Sequence, residues 1–264
     1  MHRRNLLALP AALLVGACAT PAPRTPIVLV HGAWMGAASW SAVAADLRAR
    51  GYPVTAVELP GHGQDPTPPE RLSLAAYTDA VLAALPADRP ALLVGHSMAG
   101  MVISAVAERA PERVAQLVYV AAYLPKDGES LYQISQRDAA SRVGRWWTQA
   151  DPKNYSPATI RREGIVEVFC DDCGPAERQQ LLDTHRAEAV PPLATPVALS
   201  AARFGRVPRA YVHTKRDNAV SYDLQKAMLA AAGGAGRVFE LDTSHSPMLS
   251  QPRALADILA GLAG

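Results

Sequence analysis

The sequence predicts an α/β fold, a mostly parallel sheet of about six strands flanked by helices and interrupted once by a helical cap insertion. Three observations carry this expectation. Short apolar runs alternate with longer amphipathic stretches, as in a βαβ series whose sheet is covered on both faces. The period breaks only between about Lys126 and Arg206, where no strand continues the series and Trp146-Trp147, Pro191-Pro192 and helix-like pieces stand instead. The composition, 49% hydrophobic and 19% charged over 264 residues, is that of a globular chain long enough for one large unit with an insertion.

The chain opens with a basic start and the apolar run Leu6 to Ala17, too short to span a bilayer, which reads as an export signal over residues 1–17. Val15-Gly16-Ala17-Cys18 resembles the lipobox of bacterial lipoproteins, and Arg3-Arg4 a loose twin-arginine signal. Acylation of Cys18 would put the protein in the bacterial cell envelope, held to a membrane by lipid, with residues 18–25 as a Pro-rich tether. Lys and Arg number 26 against 24 Asp and Glu; without Arg3 and Arg4 the count is 24 against 24, which gives no footprint for nucleic acid. Of three cysteines, Cys170 and Cys173 remain, either as a local disulfide or as two thiols; no second pair of ligands at zinc spacing accompanies them.

Strands are expected at Ile27–Val30, Val54–Glu58, Ala91–Val94, Gln116–Ala121, Ala210–His213 and Val238–Leu241. Helices fall between them at Ser39–Arg50, Ser73–Leu85, Met98–Ala110, Tyr222–Ala232 and Pro252–Leu262. This divides the chain into a core of residues 26–125 and 207–264 and a cap of residues 126–206.

The third strand runs into Gly95-His96-Ser97-Met98-Ala99-Gly100 and then a helix, placing Ser97 at the apex of a strand-turn-helix elbow. Such an elbow lifts the serine hydroxyl above the sheet on a strained backbone. Ala99 stands where a second glycine is usual, and read alone the serine could simply cap a helix. A nucleophilic serine needs a base held by a third group. Four of seven histidines precede Ser97; His185 lies in the cap and His213 within a strand, which leaves His245, in Thr243-Ser244-His245-Ser246-Pro247 after the last strand. Asp217, in the loop after His213, is placed to accept the imidazole Nδ1 proton. Its rivals are worse placed, because Asp242 ends the strand that carries His245 and Asp223 is already helical. Backbone N–H groups of Met98, after the nucleophile, and Ala33, in the loop after the first strand, are the expected oxyanion hole.

With these residues assembled, the chain from Pro26 onward resembles the α/β-hydrolase superfamily. The His31-Gly32-Ala33-Trp34 loop with Trp40, Leu59-Pro60-Gly61-His62-Gly63, Leu124-Pro125-Lys126-Asp127-Gly128 and Thr214-Lys215-Arg216-Asp217 are similar to its esterase branch of bacterial pyrethroid hydrolases and plant salicylate methyl esterases. Hydroxynitrile lyases share that branch, but they carry threonine where this chain has Gly32 and lysine where it has Ser246. The resemblance implies a serine carboxylesterase acting on small or apolar esters through an acyl-enzyme, with no cofactor and no metal. Lactonase or amidase action on the same triad, and a non-catalytic ligand-binding protein on the same fold, are the alternatives. Tyr132, Trp146 and Trp147 either line an apolar acyl or alcohol pocket or, as large aromatics in a cap more often do, form its core.

Overall fold

A computed structural model describes residues 24–152 and 156–264; the expected export signal, Cys18 and most of the expected tether lie outside the described residues. Six strands, β1 (Ile27–Val30), β2 (Val54–Val57), β3 (Ala91–His96), β4 (Val114–Val120), β7 (Arg209–Thr214) and β8 (Arg237–Leu241), form one parallel sheet in the order β2-β1-β3-β4-β7-β8. Every residue of β1 and β3 is buried, which explains why these strands read as continuous apolar runs rather than alternating ones. Pairing carries β3 two residues past its apolar run, since Gly95 and His96 still face Tyr119 and Val120 of β4. Glu58 lies outside β2, its carboxylate accepting the Ala37 N–H at 3.0 Å.

Helices cover the sheet with the starts and stops that local chemistry dictates. In α2 (Leu74–Ala84), the Ser73 hydroxyl accepts the Ala76 N–H at 3.1 Å; in α9 (Tyr222–Ala231), Ser221 does the same for Leu224 at 3.2 Å. Proline opens the one-turn α10 (Pro247–Ser250) and α11 (Pro252–Ala263), where the missing N–H is no loss, and Leu255, Ala256, Leu259 and Ala263 of α11 turn one apolar face inward against α1 (Ser41–Ala49). Helix α3 (Ala99–Arg109) follows the elbow and is almost wholly buried.

Between β4 and β7 the expectation of no strand is corrected. Two short antiparallel strands, β5 (Trp147–Gln149) and β6 (Ala158–Ile160), form a separate sheet there. Three residues are too few for a period of two to register, so the sequence pattern is silent on them. Around them lie α4 (Leu131–Ser135), α5 (Val143–Trp146), α6 (Arg162–Phe169), α7 (Pro175–Thr184) and α8 (Val190–Ala194). Cys170 and Cys173, left open by the sequence, are joined as a disulfide, with their Cα atoms 5.2 Å apart. Among the described residues no helix is long and apolar enough to cross a membrane.

The sheet reverses its winding between β1 and β3: the chain goes from β1 to β2 on one side and returns to β3 on the other. The carboxyl ends of β1 and β3 therefore open a crevice, the position where open α/β sheets hold their ligands.

Candidate active site

Ser97 sits where β3 turns into α3, with φ of +55°. A non-glycine residue in this left-handed region is held there only by surrounding bonds. Those bonds are present: the Ser97 N–H donates to Val120 O at 3.2 Å, and its carbonyl accepts the Gly100 and Tyr123 N–H groups, each at 3.1 Å. The close packing needs small residues, but not where the usual pattern puts them. A Cβ on Gly100 would lie 1.9 Å from Tyr123 O, so Gly100 is the position that must stay bare, while Ala99 fits buried beside Gly95.

The β1 loop comes equally close. A Cβ on Gly32 would stand 2.8 Å from Ser97 Cβ and 2.9 Å from His96 Nδ1, so glycine is required for this loop to lie over the elbow. It brings Ala33 to the same cavity wall as Ser97 and Met98. Among the described residues neither the Ala33 nor the Met98 N–H has a protein acceptor, which leaves two buried donors at the cavity. Trp34, φ +62°, ties the loop down: its indole N–H donates to Ala158 O at 3.0 Å and its backbone N–H to the Glu188 carboxylate at 3.4 Å.

Asp217 and His245 are brought together across 28 residues, Nδ1 donating to Oδ2 at 2.8 Å. The remaining lone pairs of Asp217 are filled as well. Oδ1 accepts the Ala219 and Val220 N–H groups, each at 2.8 Å, and Oδ2 accepts Thr214 Oγ1 at 2.8 Å and Gln225 Nε2 at 3.0 Å. With four donors besides the imidazole, the carboxylate is held rigidly. The rivals are engaged elsewhere, Asp242 with Arg216 and Asp223 with Lys226. The histidine loop is anchored to the elbow, because His96 Nε2 donates to the His245 carbonyl at 2.9 Å and the two rings lie 4.6 Å apart. His245 Nε2 is buried and makes no hydrogen bond among the described residues, to Ser97 or to any other group.

A cavity of about 540 Å³ opens over Ser97, within the range of small-molecule sites, and is walled by Ala33, Trp34, Met98, Tyr123, Phe169 and Trp147 among others. Tyr132 also lines it, 57% exposed. Trp146 does not line it: its indole N–H donates to Glu167 at 3.1 Å, and the Arg145 and Arg161 guanidinium groups each stand 5.0 Å from its ring centroid.

Residues 27–258 match the alpha/beta hydrolase family. The chain belongs to that family. It is similar to Methylesterase 2 of Arabidopsis thaliana, 30% identical over 253 residues that span 89% of this chain and 95% of that protein. It is equally similar to a pyrethroid hydrolase of Sphingobium wenxiniae, 30% identical over 253 residues, 90% of this chain and 88% of that protein. Among solved structures a pyrethroid hydrolase superposes with a TM-score of 0.79 at 28% identity, covering 90% of this chain and 97% of that one. Polyneuridine aldehyde esterase, at 24% identity and a TM-score of 0.82, shares the fold, covering 91% of this chain and 100% of that one. This alpha/beta hydrolase therefore stands in the esterase branch its loops resemble, as a carboxylic ester hydrolase.

Sequence reasoning passed over the buried histidines that surround the site of this hydrolase. Burial pushes the His96 imidazole well below its ordinary range and also lowers His31, whose Nε2 accepts the Leu59 N–H at 3.1 Å. His62 is the exception. Burial alone would lower it, but the Glu188 carboxylate at 2.9 Å and the Pro60 carbonyl at 3.0 Å face its two nitrogens and raise it. Glu188, fully buried, also accepts from the Tyr77 hydroxyl at 2.8 Å. His62, Tyr77 and Trp34 thus converge on one carboxylate from the segment between β4 and β7. A lone glutamate before Pro191-Pro192 carries no local signal of this.

Proposed function

We propose that this esterase hydrolyses small or apolar carboxylic esters through an acyl-enzyme on Ser97. The observation that carries the reading is the Asp217–His245 pair, whose imidazole lies 4.6 Å from the ring of His96, the residue before a strained serine that lines an apolar cavity. Ser97 Oγ attacks the ester carbonyl carbon while His245 Nε2 takes its proton; Asp217 holds the imidazole in the tautomer that leaves Nε2 free. The Ala33 and Met98 N–H groups, without acceptors among the described residues, receive the developing oxyanion. Collapse expels the alcohol, protonated by His245, and water then repeats the sequence on the acyl-enzyme to release the acid. Serine–imidazole bonds of this kind often form only in the Michaelis complex, so the unpartnered His245 Nε2 among the described residues is compatible with the base role.

Tight approach at Gly32 supports ester hydrolysis over cyanohydrin cleavage, since a threonine there would overlap Ser97. The segment between β4 and β7 acts in this reading as the cap that supplies Trp147, Phe169 and Leu193 to the substrate wall. A panel of p-nitrophenyl esters of increasing chain length, with lactone and anilide counterparts, tests the class. Ser97→Ala is expected to cost on the order of 10⁴-fold or more in kcat; near-native turnover by that variant would sink the proposal.

For location we propose acylation of Cys18, on the strength of Val15-Gly16-Ala17-Cys18 after a short apolar run. Wild-type protein should fractionate with bacterial membranes and Cys18→Ser should not. Mass spectrometry of a mature chain lacking Cys18 would refute it.

A further inference from the structure

Four polar groups of the acid and histidine loops end on one four-residue turn at the end of α6. Cys170 and Cys173, both buried, close that turn by their disulfide, with the Cys173 N–H donating to Cys170 O at 3.2 Å and Asp171-Asp172 at the tip. Asp172 Oδ2 accepts the Ser244 backbone N–H at 3.1 Å, and its Oδ1 accepts the Ser244 hydroxyl. The Arg216 guanidinium lies 3.6 Å from Asp172 Oδ2, and Asp171 accepts the Asn218 side-chain amide at 3.1 Å. Asn218 Nδ2 also donates to Glu167 O at 2.8 Å, at the end of the same helix. These partners are the residue before His245 and the two that flank Asp217. Phe169, just ahead of the turn, sets its ring 5.8 Å from that of His245.

The contacts are of a kind that fixes geometry. Ser244 is fully buried and the Asp172 side chain is only 8% exposed, so these are charge-assisted bonds in a low-dielectric setting. Removing the carboxylate would leave the Ser244 N–H and hydroxyl without acceptors. Arg216 adds a brace between the loops, because its own N–H donates to Thr243 O at 2.9 Å.

We propose that Asp172, presented by the disulfide-closed turn Cys170–Cys173, is a positioning residue for the ester hydrolysis assigned above, setting the His245 loop in register with the Asp217 loop. The inference rests on that reading of the site. Its function is to hold the imidazole within the fraction of an ångström that proton transfer from Ser97 requires, without touching substrate.

The test uses the full-length protein and a p-nitrophenyl ester, with Ser97→Ala as reference. Asp172→Ala should lower kcat about 10- to 100-fold with KM changed less than about twofold, and slow the labelling of Ser97 by a fluorophosphonate by the same factor. Asp172→Asn, which keeps one acceptor for Ser244, should fall between the two. Ser244→Ala should also lower kcat, and combined with Asp172→Ala should cost less than the product of the single effects. Cys170→Ser with Cys173→Ser should move kcat in the same direction. A folded Asp172→Ala with kcat within twofold of wild type would overturn the proposal, as would single effects that simply multiply. If Asp172→Ala does not fold, Ser244→Ala decides from the core side, and unchanged kcat there is equally fatal. Activity that survives Ser97→Ala would instead indict the reading of the site.

Discussion

At Gly32 the absence of a side chain does more for this site than most of the side chains present. The loop carrying Ala33 lies so close to the elbow that an added Cβ would stand 2.8 Å from Ser97 Cβ, nearer than real Cβ atoms approach. Something would have to move, and the candidates are the serine, His96 or the Ala33 amide. Gly32→Ala is therefore expected to lower kcat by about 100-fold, the scale of a 1 Å misplacement, with a smaller change in KM. Steady-state kinetics on a variant with an unchanged circular dichroism spectrum checks this; a kcat within threefold of wild type would show that the loop adapts. Gly32 was legible as a turn residue in the sequence. Its closeness to Ser97 was not, because the two residues are 65 positions apart and follow strands whose adjacency is decided by sheet pairing.

Scaled up to elements, the segment between β4 and β7 is fastened to the sheet by polar bonds as well as by apolar packing. Glu188 pairs with Ala158 in an isolated bridge and sends its carboxylate to His62, Tyr77 and the Trp34 N–H, three separate parts of the core. A buried pair of this kind is weak as a source of net stability but costly to halve, since the partner left behind has no solvent. Glu188→Ala should destabilise the protein by about 3–5 kcal/mol, read as a lower urea midpoint with an unchanged slope. Glu188→Gln, which keeps an acceptor for the Tyr77 hydroxyl, should cost less. Equal stability of all three proteins would mean that water or a neighbouring group takes over the role of the carboxylate.

For the molecule as a whole, buried and half-buried histidines contribute a pH dependence of stability. His31, His96, His185 and His213 are all lowered from the ordinary 6.5 by burial, His185 to about 4 with Arg186 adding to the effect. Below 6.5 the unfolded chain takes up protons that the folded one refuses, so stability from these groups is complete above 6.5 and declines as pH falls toward their folded values. His62, raised, works the other way: its contribution is complete below 6.5 and fades as pH climbs through its folded value. Four groups against one predict a Tm that falls steeply from pH 7 to pH 4.5 and more gently above neutrality. His185→Gln should flatten the acid arm, and a Tm independent of pH across that interval would contradict the assignment of neutral buried imidazoles.

By itself the sequence determined the features that depend on neighbours along the chain. Six sheet strands, their helices and the strand-turn-helix at Ser97 follow from local periodicity and from turn chemistry, and all stand in the structure within a few residues of expectation. The loops bearing Asp217 and His245 were legible as well, since each follows a strand. Tertiary structure alone decided what those loops rest on. Asp172 reaches Ser244 across 72 residues and Glu188 reaches His62 across 126, and neither carboxylate sits in a motif. The same holds for β5 and β6, whose three-residue lengths are below the reach of any period. Local pattern reports which face of an element is apolar, whereas partners for buried polar groups are assigned only when the chain closes and each donor must find an acceptor out of water.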